Sequence, residues 1–158
     1  MRTRIYTSKQ MGDACEMLIA AELTLAGVPA MKMPDNWPHY DVIAQMQTDS
    51  FPQRISVKSR TFKRGGDGYV EYNATQSTFD WLAVVILPGP GQEKRRIFIA
   101  PKAVTDLRFH RYGPATRARG IVSGQLDQFE MLIPEFENNF CLLTSGLVRS
   151  ALPSPPPA

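Results

Sequence analysis

The sequence predicts an α/β domain in which a central mixed β-sheet is flanked by helices. Three observations carry this prediction. An amphipathic helical pattern opens the chain, three stretches of strand character follow between residues 28 and 59, and residues 80–87 form a near-continuous apolar run. Such a run is typical of a strand buried on both faces. Alternation of helical and strand segments implies one mixed sheet with helices on its faces.

Length and composition fit a single folded unit. The chain has 158 residues, of which 43% are hydrophobic and 21% are charged, as in soluble globular proteins. We expect one domain over residues 1–149 and a disordered, proline-rich tail over residues 150–158. No apolar run reaches the roughly 18 residues of a membrane span, and no signal peptide is recognisable, so we expect a cytoplasmic protein without a membrane partner. Cys15 and Cys141 are expected to be buried thiols.

The first element is a helix that begins at Ser8 as N-cap and ends at Gly27. Apolar residues recur within it at helical spacing. Glu16 lies beside this apolar stripe, on the same flank as Gly12, where the absent side chain allows close approach. Glu16 is therefore placed to face the strand ends, although a solvent-facing glutamate is the alternative.

The central feature of the sequence is a predicted hairpin of residues 40–46 and 54–59, preceded by a short strand over residues 28–33. Pairing of the hairpin strands brings Asp41 and Lys58 to the same end of the sheet. A carboxylate beside an ammonium there suits a site that holds Mg²⁺ and a phosphate. The alternative is an ordinary ion pair at the strand ends. Neighbouring Asp35 is placed in a loop and outside the site.

Later elements are predicted in outline. Residues 65–68 form a glycine-rich turn that is placed to act as a substrate flap. Residues 108–120 are basic and irregular, and residues 125–133 are mixed. The predicted regular elements are a short helix over 73–79, strands over 80–87 and 96–100, a helix over 101–107, and a helix over 134–143 in which Phe136 packs on Phe140.

Positive charge is concentrated in two stretches, although the net charge is only +3. Residues 54–64 carry no acid, and residues 94–119 carry eight lysines and arginines against one acid. Such clusters neutralise a phosphate backbone and make binding salt-dependent, unless they form only a solvated basic face. The predicted nucleic-acid contacts are Arg60, Lys63, Arg64, Arg95, Arg96, Arg108 and Arg111.

Four motifs together resemble a known family. They are Gly12-Asp-Ala-Cys-Glu16, Tyr40-Asp41-Val-Ile-Ala44, Ile55-Ser-Val-Lys58-Ser59 and Phe79-Asp-Trp-Leu-Ala-Val-Val85. Over roughly residues 8–101 the chain resembles the PD-(D/E)XK nuclease superfamily, in particular the archaeal Holliday-junction resolvases and small restriction-like endonucleases. The resemblance implies a restriction-endonuclease-like three-layer fold and hydrolysis of phosphodiester bonds in DNA.

The resemblance also implies roles for individual residues. Glu16 and Asp41 correspond to ligands of Mg²⁺ or Mn²⁺, and Lys58 corresponds to the lysine that orients the attacking water or stabilises the developing charge on phosphorus. Members of the family must meet two DNA strands, which makes a homodimer a further expectation.

The chain departs from the family at Ser56, where members carry an acid or glutamine two residues before the lysine. A hydroxyl is a poor Mg²⁺ ligand compared with a carboxylate. Three explanations stay open: Ser56 acts through a water, another acid such as Glu71 has taken its place, or cleavage is lost and binding is kept. The sequence thus predicts a metal-dependent DNA endonuclease, with an inactive DNA-binding or protein-interaction module as the alternative and a purely structural protein as a third possibility.

Overall fold

The computed structural model describes residues 4–48, 50–112 and 120–144. The described residues contain two β-sheets. The larger has five strands in the order β1-β2-β3-β5-β6, and the smaller has three in the order β4-β8-β7. In chain order the elements are α1 (Ser8–Leu25), β1 (Ala30–Lys32), β2 (Val42–Ala44), β3 (Gln53–Thr61), β4 (Tyr69–Asn73), β5 (Trp81–Leu87), β6 (Arg96–Pro101), α2 (Lys102–Arg108), β7 (His110–Arg111), β8 (Ile121–Gln125) and α3 (Phe129–Leu132).

The five-stranded sheet is mixed, as the sequence predicts. Strands β3 and β5 are parallel, and the neighbours β1/β2, β2/β3 and β5/β6 are antiparallel. Strand β5 lies near the centre of the sheet and is buried along almost its whole length. The predicted fold class, a central mixed sheet flanked by helices, is confirmed.

Helix α1 covers one face of this sheet. Its apolar side chains, including Cys15 and Ile19, pack against Val42 and Ile55 of the hairpin in one hydrophobic cluster. The helix begins one residue earlier than predicted, because Thr7, and not Ser8, is the N-cap. Its end is as predicted, since the left-handed backbone at φ 98° that follows the helix suits a glycine, here Gly27.

The second face is covered by the small sheet together with α2 and α3. Strands β4 and β8 contribute Val70 and Val122 to a cluster that contains Phe98 from the central sheet and Phe129 from α3. The predicted helix over 73–79 is wrong. The chain forms strand β4 and then a turn, because the Asn73 side chain accepts hydrogen bonds from the backbone N–H groups of Thr75 and Gln76 and thereby stabilises the turn.

The predicted helix over 134–143 is also wrong. Only one 3-10 turn forms, over Pro134–Phe136, and Asn138 then adopts a positive φ of 53° that interrupts a right-handed helix. Phe136 and Phe140 consequently pack into clusters on opposite faces of the central sheet.

Cys141 is exposed, contrary to expectation, whereas Cys15 is buried. The predicted tail and the last residues of the predicted domain lie outside the described residues.

Candidate functional site

Asp41 lies where strands β2 and β3 separate. The two strands pair only over residues 42–44 and 53–55, and β3 then continues to Thr61 beside β5 alone. At the point of separation the Asp41 carboxylate takes the place of a strand partner, because its Oδ2 accepts a hydrogen bond of 2.8 Å from the backbone N–H of Val57. The Asp41 side chain is thus fixed at the border between the hairpin and the free part of β3, meaning residues 57–61, which pair with β5 but not with β2.

Glu16 of α1 faces the same region from the helix. It follows Cys15, which packs into the core, so its side chain is turned away from the core and toward β1. Glu16 and Asp41 both line a pocket of about 180 Å³. Burial is the main cause that raises the pKa of Glu16, and the negative charge of Asp41 raises it further. Lys32 opposes this rise. The structure therefore brings the two predicted metal ligands close enough to influence one another.

Lys32 and Asp35 belong to this pocket and are not recognisable as site residues from the sequence. The Lys32 ammonium lies 3.4 Å from the Glu16 carboxylate and 3.3 Å from that of Asp35. Asp35 lies in the loop before β2 as predicted, but it lines the pocket, contrary to its predicted place outside the site. Hydrogen bonds from Lys9 and Lys32 hold its pKa below the usual range. Four acids and two lysines line the pocket, so negative charges outnumber positive ones by two when all six are ionised. The charged lining residues are Asp13, Glu16, Asp35, Asp41, Lys9 and Lys32.

Lys58 lines a separate and larger groove of about 720 Å³. Residues 57–61, the free part of β3, line the groove as a continuous stretch, together with Lys63 and Glu71. The Lys58 side chain forms no hydrogen bond or ion pair with another described residue, and Lys58 is partly exposed. The groove adjoins the pocket, because Val57, one of its lining residues, is the hydrogen-bond donor to Asp41.

Ser56 and Glu71 do not join the two carboxylates. Ser56 is only 6% exposed and lines neither the pocket nor the groove. Glu71 is exposed and lines the groove with Lys58. Within residues 4–48, 50–112 and 120–144, no group of three or more Asp, Glu, His or Cys side chains is arranged to hold a metal ion.

The donors present nevertheless fit Mg²⁺ in kind. Magnesium prefers oxygen ligands, keeps several of its waters and is often bound through one or two carboxylates plus substrate phosphates. Glu16 and Asp41 supply two carboxylates, and a pocket of about 180 Å³ has room for a cation with several waters at roughly 30 Å³ each. The adjoining groove is open to a larger, phosphate-bearing ligand.

The predicted nucleic-acid contacts fall into two groups. Arg96 forms ion pairs with Glu130 and Glu137, and Arg108 with Glu135, so their charges are balanced within the protein. The others form no ion pair with a described residue: Arg60, Lys63, Arg64, Arg95 and Arg111. Of these, Arg60 and Lys63 line the groove with Lys58. Arg117 and Arg119 of the second basic stretch lie outside the described residues.

Comparison with solved structures relates the fold to a nuclease. The structure of the bacterial homing endonuclease I-Ssp6803I matches with a TM-score of 0.51 over 77% of this chain and 78% of that chain, at 14% sequence identity. No family model matches the chain, and no curated protein matches it. The chain therefore has a nuclease-like fold, a coarser statement than membership of the PD-(D/E)XK superfamily.

No helix in the described part of the chain has the length and apolar character needed to cross a membrane.

Proposed function

We propose that this protein is a metal-dependent endonuclease that hydrolyses phosphodiester bonds in DNA. The observation that carries the proposal is the convergence of the Glu16 and Asp41 carboxylates on one pocket at the separation of β2 and β3, next to a groove that contains Lys58. The nuclease-like fold supports it, because the similar structure is that of a homing endonuclease.

Glu16 and Asp41 would hold Mg²⁺ or Mn²⁺ in this proposal. When bound, the ion would supply an activated water and polarise the phosphate. Asp41 is held in place by the Val57 N–H, which leaves its other oxygen for a ligand. Glu16 presents its carboxylate from a rigid helix, so both donors are oriented before DNA arrives.

Lys58 would act on the DNA side of the site. Its ammonium has no partner among the described residues, and it lies in the groove beside Arg60 and Lys63. We assign to it the role of donating to a phosphate oxygen and stabilising the charge that develops at phosphorus. Arg60 and Lys63 would hold flanking phosphates, which gives affinity without sequence information.

The test is a plasmid-nicking assay with Mg²⁺ and Mn²⁺ on the wild type, Asp41→Ala and Lys58→Ala. We expect metal-dependent nicking by the wild type and a loss of at least about a hundredfold in each variant, typical of losing a catalytic charge. Calorimetric titration of Mn²⁺ separates the roles, because Asp41→Ala should lose metal binding and Lys58→Ala should keep it. Arg108→Ala is the control for a removed positive charge outside the groove. Undiminished nicking in both site variants would refute the assignment.

A second candidate is a nuclease-like module that binds DNA without cutting it. Ser56 favours this function, because the position of the family's third acid is buried and lines neither the pocket nor the groove. DNA retention that is independent of metal and unaffected by Asp41→Ala, without nicking, would establish the module in place of the enzyme.

In either case a homodimer stays a proposal, and light scattering at working concentration tests it.

A further inference from the structure

The small sheet has one face in the core and one face that no described element of the chain covers. Val70 and Val122 point into the hydrophobic cluster and are 1% and 0% exposed. On the other face Tyr69 is 40% exposed, and Glu71 and His110 are exposed as well. An exposed sheet face of this kind is available for a ligand of extended shape.

The register places polar side chains in rows across this outer face. Glu71 of β4 lies opposite Ser123 of β8, and Ser123 lies opposite His110 of β7. Tyr69 lies opposite Gln125 in the next row. Residues directly opposite one another in antiparallel strands project from the same face. Each row therefore presents two or three side chains side by side.

The dimensions of the small sheet match a groove of duplex DNA. Neighbouring strands are about 4.8 Å apart, so the backbones of three strands span about 10 Å. The major groove of B-DNA is about 12 Å wide and admits a two-stranded β-ribbon, so β4 and β8 would enter it while the two-residue β7 lies at its edge. A row such as Glu71–Ser123–His110 would lie across the groove floor, where the base edges are.

The chemistry of the rows suits base edges. The Glu71, Ser123 and Gln125 side chains form no hydrogen bond with another described residue, so their donors and acceptors are free for a ligand. An amide such as that of Gln125 pairs with the N6 and N7 atoms of adenine, and a carboxylate such as that of Glu71 accepts from N4 of cytosine.

This face is continuous with the groove that contains Lys58. Tyr69 and Glu71 line that groove, and the Arg60 guanidinium donates to the backbone oxygen of Tyr69 at 3.3 Å. The basic side chains of β3 and the polar rows of β4 thus meet at one edge. A duplex lying along the groove would present phosphates to the former and base edges to the latter.

We propose that the outer face of β4, β8 and β7 reads base edges in the major groove of duplex DNA, and so determines which sequences the protein prefers. The proposal rests on the DNA binding assigned above, but not on cleavage. It separates two tasks: Lys58, Arg60 and Lys63 hold the backbone, and Glu71, Ser123 and Gln125 read the sequence.

The experiment is selection of bound sequences from a random duplex library in the presence of Ca²⁺, with the wild type, Glu71→Ala, Gln125→Ala and Lys63→Ala. We expect the wild type to enrich a sequence preference. Glu71→Ala and Gln125→Ala should each relax it by at least about fivefold at one or two positions. Lys63→Ala should weaken binding to all sequences and keep the preference. Both outer-face residues are at least partly exposed, and thermal unfolding checks that the variants fold.

Each other outcome counts against at least one of the two proposals. A wild type that binds duplex without any preference, or variants with an unchanged preference, would overturn the reading face and leave the endonuclease proposal intact. Tighter binding of single-stranded than duplex DNA would also overturn it, in favour of stacking on Tyr69. No retention of DNA at low salt would overturn both proposals, whereas a preference without nicking would overturn only the enzyme.

Discussion

Lys32 contacts three of the four carboxylates that line the acidic pocket of Glu16 and Asp41. Its ammonium contacts the carboxylates of Glu16 and Asp35 and lies 3.9 Å from that of Asp13. Its side chain is 21% exposed, so solvent screens these contacts less than those of Lys9, which is 68% exposed. In the absence of a cation Lys32 partly neutralises the pocket, and it occupies a donor that we assign to the metal.

We predict that Lys32→Met tightens the binding of Mn²⁺ about tenfold, or about 1.4 kcal/mol. The ammonium and the metal compete for the Glu16 carboxylate, so removing the ammonium favours the metal. Calorimetric titration measures the change. Lys9→Met is the matched control, because Lys9 contacts Asp13 and Asp35 but not Glu16. Equal or weaker binding by Lys32→Met would show that the two cations do not compete.

The sequence anticipates the residue-level site only in part. Glu16 and Asp41 are predicted from a helix flank and a strand start, and the structure brings both to one pocket. Lys32 and Asp35 are missed, because their approach depends on the path of the loop before β2. That path includes positive φ angles at Asn36 and His39, which no local pattern foretells.

Among the elements, α1 positions Glu16, and its start is fixed by a capping box. The Thr7 Oγ1 accepts a hydrogen bond from the Gln10 backbone N–H, and the Gln10 side chain accepts one from the Thr7 backbone N–H. Two N–H groups at the start of the helix are satisfied in this way. The Ser8 hydroxyl, by contrast, accepts from the exposed Arg4 side chain.

We predict that Thr7→Ala lowers the free energy of unfolding by about 1 kcal/mol, the usual contribution of an N-cap. Ser8→Ala should change it by less than about 0.5 kcal/mol, as expected for an exposed position without a capping role. Urea unfolding followed by far-UV circular dichroism measures both. The reverse order of the two effects would restore Ser8 as the functional cap.

The elements that the sequence predicts best are those with a strong apolar pattern. Helix α1, the hairpin of β2 and β3, and strands β5 and β6 bury continuous or regularly spaced apolar residues. Strand β4 is missed because it pairs with β8, some fifty residues away, and no hairpin turn joins the two. The alternation in Tyr69–Asn73, exposed and buried in turn, is the signal that would have identified β4.

For the whole molecule, the balance between paired and unpaired charges matters more than the net charge of +3. Basic residues that are close in sequence have different roles in the fold. Arg54 is held by Asp80 in a two-pronged ion pair, whereas Lys58 and Arg60 line the groove. Sequence clustering therefore overestimates the number of charges available to DNA.

We predict that Arg60→Ala and Lys63→Ala each reduce the slope of log affinity against log salt by about one, because each removes one phosphate contact. Arg108→Ala should leave the slope unchanged, since its guanidinium is bound to Glu135 and to the backbone oxygen of Leu132. Binding of a labelled duplex at several salt concentrations measures the slopes. An equal effect of all three substitutions would indicate a diffuse basic surface instead of a defined groove.

The free edge of β3 has a consequence for how this protein diverges. Beyond Val57 the strand pairs with β5 on one side and with no other strand of the described chain on the other, so the groove follows its main chain. The course of this main chain is set by its pairing with β5. Side chains along residues 57–61 can therefore change while the shape of the groove is retained. The outline of the groove is thus set by the main chain, and the chemistry that it presents is set by the side chains that line it.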